Sequence, residues 1–382
     1  MESIVQSAFD RAFGSGKQQA ASPGTQGRIE QAEKVDWEQK ASEEFDIQLH
    51  RAKIMVLGCG GAGCNTVTRL TEMGATGAEI IALNTDAKHL SITKSHRKLL
   101  IGKDTTRGLG AGGYPQVGKK AAEENRQEIK QILDGVDLVF VTGGLGGGTG
   151  TGALPVVSEL AKSMGSIVIG AVTMPFKMEG TRINKAEDGL GALRQVTDTV
   201  VVIENQKLLE YAGNMPLAQA FALADELISM MIKGITETIT VPSLVNLDFA
   251  DVKSIMKCGG VSAICVGESD SQTRIKDAVL KAINHPLLEV DYAGALGALI
   301  HVICGPDCTL AEINEAGELI SKRLSPEAQV IWGARVMPEY AGKVQVIAII
   351  TGVKSPYLLG PMELQEAARA AENELGIPVI LK

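Results

Sequence analysis

The stretch GGLGGGTGTG at residues 143–152 holds seven glycines in ten positions and directly follows the β-branched segment DLVFVT (137–142). A glycine-rich turn between a strand and a helix lets backbone N–H groups approach phosphate oxygens, and the helix N-terminus favours their negative charge. The loop GCGGAGCN (58–65) stands in the same context after KIMVLG (53–58), and GLGAGGYPQVG (108–118) adds further unhindered N–H groups. No lysine in a Walker pattern accompanies these loops. Together they predict a polyphosphate site held by backbone amides, helix dipoles and a metal ion.

Strand and helix patterns alternate on either side of these loops. This alternation predicts an α/β fold with a mostly parallel sheet and helices on both faces. The predicted strands are 53–58, 79–84, 98–101, 137–142, 166–173 and 199–204, and the predicted helices are 65–72, 118–133, 154–164 and 185–195. A helix over 216–240 follows that is apolar on nearly all sides, so it is expected to lie between two domains.

A smaller α/β domain is predicted after the long helix. Its expected elements are strands 262–267 and 297–304, a helix over 273–284, and a helix opened by a capping box of Thr309 and Glu312. Segments 329–336 and 343–352 are predicted to form an antiparallel pair of strands. The predicted divisions are 1–50 (a partly flexible extension), 51–215 (nucleotide-binding domain), 216–241 (central helix), 242–352 (C-terminal domain) and 353–382 (linker, helix and tail).

Composition excludes several classes of protein. The chain of 382 residues has a net charge of −8, so it lacks the cationic surface of a nucleic-acid-binding protein. No apolar run reaches the roughly 18–20 residues of a membrane span, and the first residues lack the basic start of a secretory signal. The six cysteines form no zinc-finger pattern and are expected to be free thiols, although Cys304 and Cys308 are spaced so that they could share a metal. A cytoplasmic location is predicted.

A dinucleotide site is the main alternative. Gly58, Gly60 and Gly63 fit the pattern G-x-G-x-x-G. Asp86 lies close to the sequence spacing, about 20 residues after the glycines, at which an acid binds the ribose of a dinucleotide. An NAD-dependent oxidoreductase, however, has no need of the second and denser loop at 143–152.

Two further groups of residues carry chemistry. Phe221 and Asp225 are one helical turn apart, so a ring that stacks on a purine and a carboxylate that accepts the N1–H and N2–H of guanine share one face. In NLDFAD (246–251), Asp248 and Asp251 are either catalytic acids or the cap and first turn of a helix that starts near Phe249.

The motif GGGTGTG (146–152) resembles the signature loop of the tubulin/FtsZ family, and the resemblance continues in order from about residue 50 to residue 352. It implies a GTPase that binds GTP or GDP with Mg²⁺, assembles head to tail into the filaments of the division ring, and hydrolyses GTP between subunits. A scaffold that polymerises without hydrolysis is a second alternative, and the intact NLDFAD loop argues against it.

The resemblance also assigns residues. The catalytic residues that it implies are Asn246, Asp248 and Asp251, which would orient water in the site of the next subunit. Mg²⁺ would bind through the phosphates and not through a side chain. The nucleotide-binding residues that it implies are Gly60, Gly61, Ala62, Gly63, Cys64, Asn65, Asn84, Asp86, Gly110, Ala111, Gly112, Gly113, Gly147, Gly148, Thr149 (facing phosphate), Gly150, Thr151, Pro175, Glu179, Arg182, Asn205, Phe221 and Asp225.

The two ends of the chain are expected to meet partners. The segment LGIPVILK (375–382) resembles the short tail by which the family binds a membrane-tethering division protein, and its apolar residues around a proline suit a groove. The alternative is a last strand packed on the body. An apolar helical stripe within residues 4–13 has no assigned role. The predicted partners are thus other copies of the chain and a tether at the division site, with no nucleic acid and no direct membrane insertion.

Overall fold

The computed structural model describes residues 52–241, 243–256, 261–284 and 290–354. The expectations for the extension 1–50, for Pro242 and for the tail 375–382 lie outside the described residues.

The first sheet has six parallel strands in the order β3-β2-β1-β4-β5-β6. Strands β1 and β4 run through its centre, and they are nearly continuous apolar runs because helices cover both faces. The predicted parallel sheet is confirmed. The strands are β1 (Ile54–Cys59), β2 (Ala78–Asn84), β3 (Arg97–Leu100), β4 (Leu138–Gly144), β5 (Ile167–Met174) and β6 (Thr199–Glu204).

Helices flank this sheet, and several predicted boundaries are wrong. The predicted helix 118–133 is two helices that meet at Asn125, whose side chain accepts a hydrogen bond from the Gly102 N–H at 2.8 Å. The helices after β1 and β4 begin five residues before the predicted starts, within the glycine loops themselves. The helices are α1 (Gly60–Glu72), α2 (Ala87–Ile92), α3 (Lys103–Thr106), α4 (Pro115–Glu124), α5 (Arg126–Leu133), α6 (Thr149–Ser163), α7 (Thr181–Gln195) and α8 (Asn205–Ala212).

The central helix α9 (Leu217–Thr240) lies between the two sheets, as its apolar pattern predicts. On one side the Ser229 hydroxyl donates to the Thr66 carbonyl at 3.2 Å. On the other side Gly234 lies so close to the second sheet that a Cβ there would stand 2.7 Å from Cδ1 of Ile347. A helix enclosed on both sides is apolar around its circumference.

The second sheet has four strands in the order β7-β10-β8-β9. The predicted antiparallel pairing of 329–336 with 343–352 is wrong. Strand β10 runs antiparallel between β7 and β8, whereas β9 lies at the edge and runs parallel to β8. The cause is burial, because β10 is buried over most of its length and takes a central position while β9 carries exposed residues. The elements are β7 (Val261–Ser269), β8 (Gly297–Cys304), β9 (Gln329–Val336), β10 (Val344–Val353), α10 (Phe249–Met256), α11 (Arg274–Ile283) and α12 (Leu310–Ser321).

Candidate nucleotide site and acidic loop

Three glycine-rich loops meet at the carboxyl edge of the first sheet. A Cβ on Gly60 would stand 2.8 Å from the Gly150 nitrogen, and one on Gly148 would stand 2.8 Å from Cβ of Ala111. Gly60 also has a φ of +73°, which side chains of L-residues rarely adopt. Backbone therefore packs directly on backbone, and only glycine fits. We call the surface formed by loops 58–65, 108–118 and 143–152 the glycine cradle.

The cradle presents two helix N-termini. Helix α1 begins at Gly60 and α6 begins at Thr149, and neither N-cap residue provides a side-chain hydrogen bond. Their first N–H groups are therefore available to an external acceptor, and the helix dipoles favour a negative charge there. Gly61 has no atom within 4 Å of the place where a Cβ would stand, so the cradle is open at that point. This donor set suits phosphate oxygens.

The predicted residues of α1 differ in their accessibility. Gly61 and Asn65 are exposed, Ala62 is half-buried, and Gly63 and Cys64 are buried. Burial raises the pKa of the Cys64 thiol, and the thiol accepts a weak hydrogen bond from Asn84 at 3.6 Å. Any contact from Cys64 to a nucleotide would therefore use its backbone.

Thr149 and Thr151 have buried side chains. The Thr149 hydroxyl lies 2.6 Å from the hydroxyl of Thr85, which follows β2. The methyl group of Thr151 packs towards Gly189 of α7, where a Cβ would stand 2.4 Å from it. The Thr149 hydroxyl thus joins two loops of the site, and its predicted orientation towards phosphate stays a prediction.

Asn84 and Asp86 shape the loop after β2. Oδ1 of Asp86 accepts from the backbone N–H groups of Lys88 at 2.9 Å and His89 at 3.1 Å, so it caps α2. Oδ1 of Asn84 accepts from the N–H groups of Thr85 and Asp86. These hydrogen bonds fix the shape of the loop after β2. The Gly110 N–H of the cradle donates to the Thr85 carbonyl of that loop at 3.1 Å, so the loop lies beside the cradle.

Asp225 lies against helix α1. The Thr66 hydroxyl donates to its Oδ1 at 2.8 Å. Burial raises the pKa of Asp225 to about 6, opposed by the Thr66 hydrogen bond and by the charge of Arg69. One turn earlier, the half-exposed Phe221 ring meets Phe176 edge to face at a centroid distance of 5.8 Å. A carboxylate and a ring thus lie on one face of α9, as the spacing predicts.

Asn205 lies at the start of α8, directly after β6. Its Oδ1 is buried and has no hydrogen-bond partner among the described residues. A buried amide oxygen without a donor is costly, so this atom is suited to accept a hydrogen bond from a ligand.

Glu179 and Arg182 form an ion pair beside the second glycine loop. Oε1 of Glu179 accepts from the Phe176 N–H at 2.9 Å, and Nε of Arg182 donates to the Gly146 carbonyl at 3.3 Å. Pro175 borders the same glycine, since a Cβ on Gly146 would stand 3.3 Å from Cγ of Pro175. The structure therefore brings all three predicted residues to the rim of the cradle.

Asn246, Asp248 and Asp251 lie together in a different place, which we call the acidic loop (residues 243–251). The Asp248 N–H donates to Oδ2 of Asp251 at 3.0 Å, and the Asp251 N–H donates to Oδ1 of Asp248 at 2.9 Å. The capping interpretation from the sequence is therefore correct. It leaves the carboxylates accessible, because Asp248 is exposed and Asp251 half-buried. Oδ1 of Asn246 accepts from the Ser243 N–H at 2.6 Å.

The cradle and the acidic loop lie near opposite ends of the central helix α9. Asp225 contacts α1 near the start of the 24-residue helix α9. At the other end of that helix, Thr240 abuts Gly77, which precedes the amino end of β2. The 15 residues from Asp225 to Thr240 span about 22 Å of helix. The carboxylates of one chain therefore cannot reach the cradle of that chain.

Sequence reasoning missed residues that support the site from a distance. Thr66 and Thr85 hold predicted residues through hydroxyl contacts, and Arg335 bonds to the segment before Asn246. No local motif marks them, since their partners lie far away in the sequence.

The described residues contain no group of three or more histidine, cysteine, aspartate or glutamate side chains placed to hold a metal ion. The cysteines that the structure describes are free thiols, at positions 59, 64, 265, 304 and 308. Within the same ranges, no helix combines the length and the apolar character that crossing a bilayer demands.

Two family models match the chain. Residues 53–213 match the GTPase domain of the Tubulin/FtsZ family, and residues 260–354 match the C-terminal domain of the FtsZ family.

Individual proteins match over most of the chain. Cell division protein FtsZ 2 of Methanocaldococcus jannaschii is 53% identical over 337 residues, which cover 85% of this chain and 89% of that protein. Cell division protein FtsZ 1 of Thermococcus kodakarensis is 48% identical over 375 residues, which cover 98% of this chain and 97% of that protein. A solved FtsZ dimer from M. jannaschii superposes with a TM-score of 0.76 at 51% identity, covering 82% of this chain and 92% of that one. None of these similarities supports an NAD-dependent oxidoreductase, and the chain belongs to the tubulin/FtsZ family.

Proposed function

We propose that the chain binds GTP in its glycine cradle and hydrolyses it with the acidic loop of a second copy. Family membership makes it a cell-division cytoskeletal GTPase that associates with itself. The shared active site is supported by one observation above all: within one chain, the cradle and the carboxylates of the acidic loop lie near opposite ends of α9.

The binding step follows from the donors of the cradle. The N–H groups at the starts of α1 and α6 would hold the phosphates, and Gly61 leaves room for them. The Asp225 carboxylate would accept the N1–H and N2–H of guanine, which adenine cannot match, while Phe221 stacks on the base. Glu179, Arg182 and Asn205 would bind around the sugar.

The hydrolytic step falls to the acidic loop. Asp248 and Asp251 of one copy would orient and polarise a water for attack on the γ-phosphate held by the next copy. Asn246 would help to orient that water. Mg²⁺ bound to the phosphate oxygens supplies charge neutralisation, and the cradle's N–H groups suit those oxygens rather than a bare cation.

Both halves of the proposed site carry exposed apolar side chains. Leu109 is 82% exposed in the cradle, Met178 is 90% exposed next to Glu179, and Leu244 is 75% exposed in the acidic loop. Two different surfaces that join head to tail make a heterologous contact, which repeats without closing and builds a filament.

The domain divisions and the remaining partner stay proposals. We propose a GTP-binding domain over 51–215 and a C-terminal domain over 242–352, which the matches to residues 53–213 and 260–354 support. Residues 375–382 would bind a membrane-tethering protein at the division site, in the cytoplasm.

The experiment is GTP hydrolysis per molecule against protein concentration, with light scattering of the same samples. A shared site requires specific activity to rise with scattering above a critical concentration. Flat specific activity without scattering would mean that each chain has a complete site, and the proposal would be wrong. Scattering without phosphate release would identify a non-hydrolysing scaffold.

A further inference from the structure

Arg335 of strand β9 is almost completely buried, at 5% exposure, and it faces the segment that joins α9 to the acidic loop. Its Nη2 donates to the carbonyls of Glu237 and, at 3.2 Å, Val241. Its Nε donates to the hydroxyl of Ser243 at 3.4 Å. One guanidinium thus bonds to the last turn of the central helix and to the first residues after it.

This is an unusual environment for a charge. Among the described residues, Arg335 forms no ion pair within 4 Å, and the charge of Glu237, which pairs with Lys233, only partly opposes burial, which lowers the pKa of Arg335. A buried cation is costly unless other groups replace its hydration. Here the negative end of the α9 dipole and the carbonyls of Glu237 and Val241 do so. The hydrogen bonds of Arg335 therefore stabilise one particular position of the end of α9 relative to β9.

The next residues continue the attachment to β9. The N–H of Val245 donates to the carbonyl of Ala334 at 3.1 Å, and the N–H of Ala334 donates back at 3.2 Å. Leu247 is buried over Gly333, where a Cβ would stand 2.6 Å from Cγ of Leu247. Ser243, Val245 and Leu247 thus bind to β9.

The alternate residues of the same segment do not bind to β9. Leu244, Asn246 and Asp248 are exposed. Because attached and exposed residues alternate along the segment, a shift of one residue would exchange the two sets. Attachment to β9 therefore decides which residues of the acidic loop reach a second copy.

We infer that Arg335 is a positioning residue for GTP hydrolysis, which fixes where the segment after α9 attaches to β9 and so directs Asn246 and Asp248 towards the nucleotide of the next subunit. The inference rests on the proposed shared site. It concerns hydrolysis and not nucleotide binding, because the cradle lies at the other end of α9.

The test uses Arg335→Met, which keeps the length of the side chain and removes its donors, and Arg335→Lys, which keeps the charge without the planar fork. Both variants should bind GTP as monomers with wild-type affinity and assemble with a non-hydrolysable GTP analogue. Turnover per assembled subunit should fall about 30-fold in Arg335→Met and less in Arg335→Lys, because a small misplacement of catalytic groups costs up to about 100-fold. The loss should lie in kcat, with KM unchanged.

Arg274→Met is the matched control. The Arg274 side chain is 12% exposed in the C-terminal domain, where it pairs with Asp307 and Glu312 and does not touch the acidic loop. Its loss should lower the thermal midpoint at least as much as Arg335→Met and leave turnover per assembled subunit at the wild-type value.

Ser243→Ala keeps the test decisive if Arg335→Met does not fold. It removes one acceptor of Arg335 at a half-buried position and should lower turnover about threefold at an unchanged thermal midpoint. Wild-type turnover in assembled Arg335→Met, or in Ser243→Ala if that variant alone folds, would overturn the inference. Failure of the shared site itself would show differently, as wild-type activity that does not depend on concentration.

Discussion

The hydroxyl of Thr66 donates a hydrogen bond to Oδ1 of Asp225 at 2.8 Å, joining helix α1 to the central helix across 159 positions of sequence. Thr66 stands six residues after the start of α1 in the cradle, and Asp225 is the proposed guanine acceptor. One contact therefore connects the proposed phosphate-binding and base-binding parts of the site.

Replacing Thr66 with valine should weaken GTP binding at least about tenfold, since a hydrogen bond to a charged group contributes about 1.5–3 kcal/mol. Valine keeps the shape of threonine but leaves the carboxylate unoriented. Thr68→Val in the same helix removes a hydroxyl that bonds to the Cys64 carbonyl and not to Asp225. Equilibrium titration with a fluorescent GTP analogue measures both, and equal affinities for the two variants would contradict the assigned role of Thr66.

Guanine affinity should fall as pH decreases from 7.5 to 5. The pKa of Asp225 is raised to about 6 by burial, so the carboxylate becomes protonated in this range and loses its capacity to accept both N–H groups of guanine. The expected loss is about tenfold at pH 5, one unit below the pKa. GDP titrations of the wild type and of Asp225→Asn at each pH separate this effect from titration of the phosphates. A parallel decline in both proteins would contradict the prediction.

Asp251→Asn should separate capping from catalysis. The amide oxygen of asparagine can still accept from the Asp248 N–H, so α10 keeps its cap, but the negative charge is lost. We expect nucleotide binding and assembly as in the wild type, with turnover per assembled subunit reduced about 100-fold. Asp270→Asn, at an exposed position of the same domain, is the control and should hydrolyse GTP normally. Normal phosphate release from Asp251→Asn filaments would remove Asp251 from the mechanism.

Gly61→Ala should stabilise the fold and weaken nucleotide binding. The new methyl group would meet no protein atom within 4 Å, and alanine in a helix contributes about 0.5–1 kcal/mol relative to glycine. The methyl group would, however, stand where the cradle is open to phosphate, so GTP affinity should fall at least about tenfold. Gly191→Ala in α7 is equally free of contacts and should give the stability without the loss of affinity. Unchanged GTP binding in Gly61→Ala would mean that the phosphates lie elsewhere.

His301 should make the folded protein less stable in acid. It is fully buried, neither ring nitrogen has a partner among the described residues, and burial, with a smaller effect of the Arg335 charge, lowers its pKa to about 4. The unfolded chain binds a proton near pH 6.5 while the folded chain stays neutral. The contribution of neutral His301 to the free energy of unfolding is therefore complete above pH 6.5. It is lost as pH falls towards 4, by up to roughly 3 kcal/mol.

Denaturant titrations of the wild type and His301→Leu at pH 7.5, 6 and 5 check this contribution. Asp225 acts in the opposite direction, because its raised pKa favours the folded state as pH falls below about 6. That contribution is common to both proteins and cancels in the comparison. The stability difference between them should change with pH, and a constant difference would show that His301 carries no titration of this kind.

The sequence predicts the first sheet well because its signals are local. Strands such as β4 are rich in β-branched residues and end in glycine. The residues of that strand, of the turn after it and of the predicted phosphate site are consecutive in the sequence, at 137–152. Helix starts are predicted less well, since α1 and α6 begin at Gly60 and Thr149, where intrinsic propensity disfavours a helix and the close contact of loops imposes one.

The sequence of a single segment does not determine which distant segment it pairs with. The edge position of β9 depends on the path of the chain between strands and on which strand is buried on both faces, not on adjacency of 329–336 and 343–352. Contacts such as Thr66 with Asp225 or Arg335 with Val241 join residues on different elements, so their physical cause exists only in the assembled fold.

The placement of the cradle and the acidic loop near opposite ends of α9 determines how many complete active sites a filament contains. A row of n proposed head-to-tail subunits contains n − 1 complete active sites, because one terminal subunit has a cradle that no acidic loop covers. That subunit retains its GTP until another subunit adds to it. The two tips of a filament therefore differ chemically. Addition at the tip with the uncovered cradle completes the active site of the subunit already there, whereas addition at the other tip completes the active site of the newcomer.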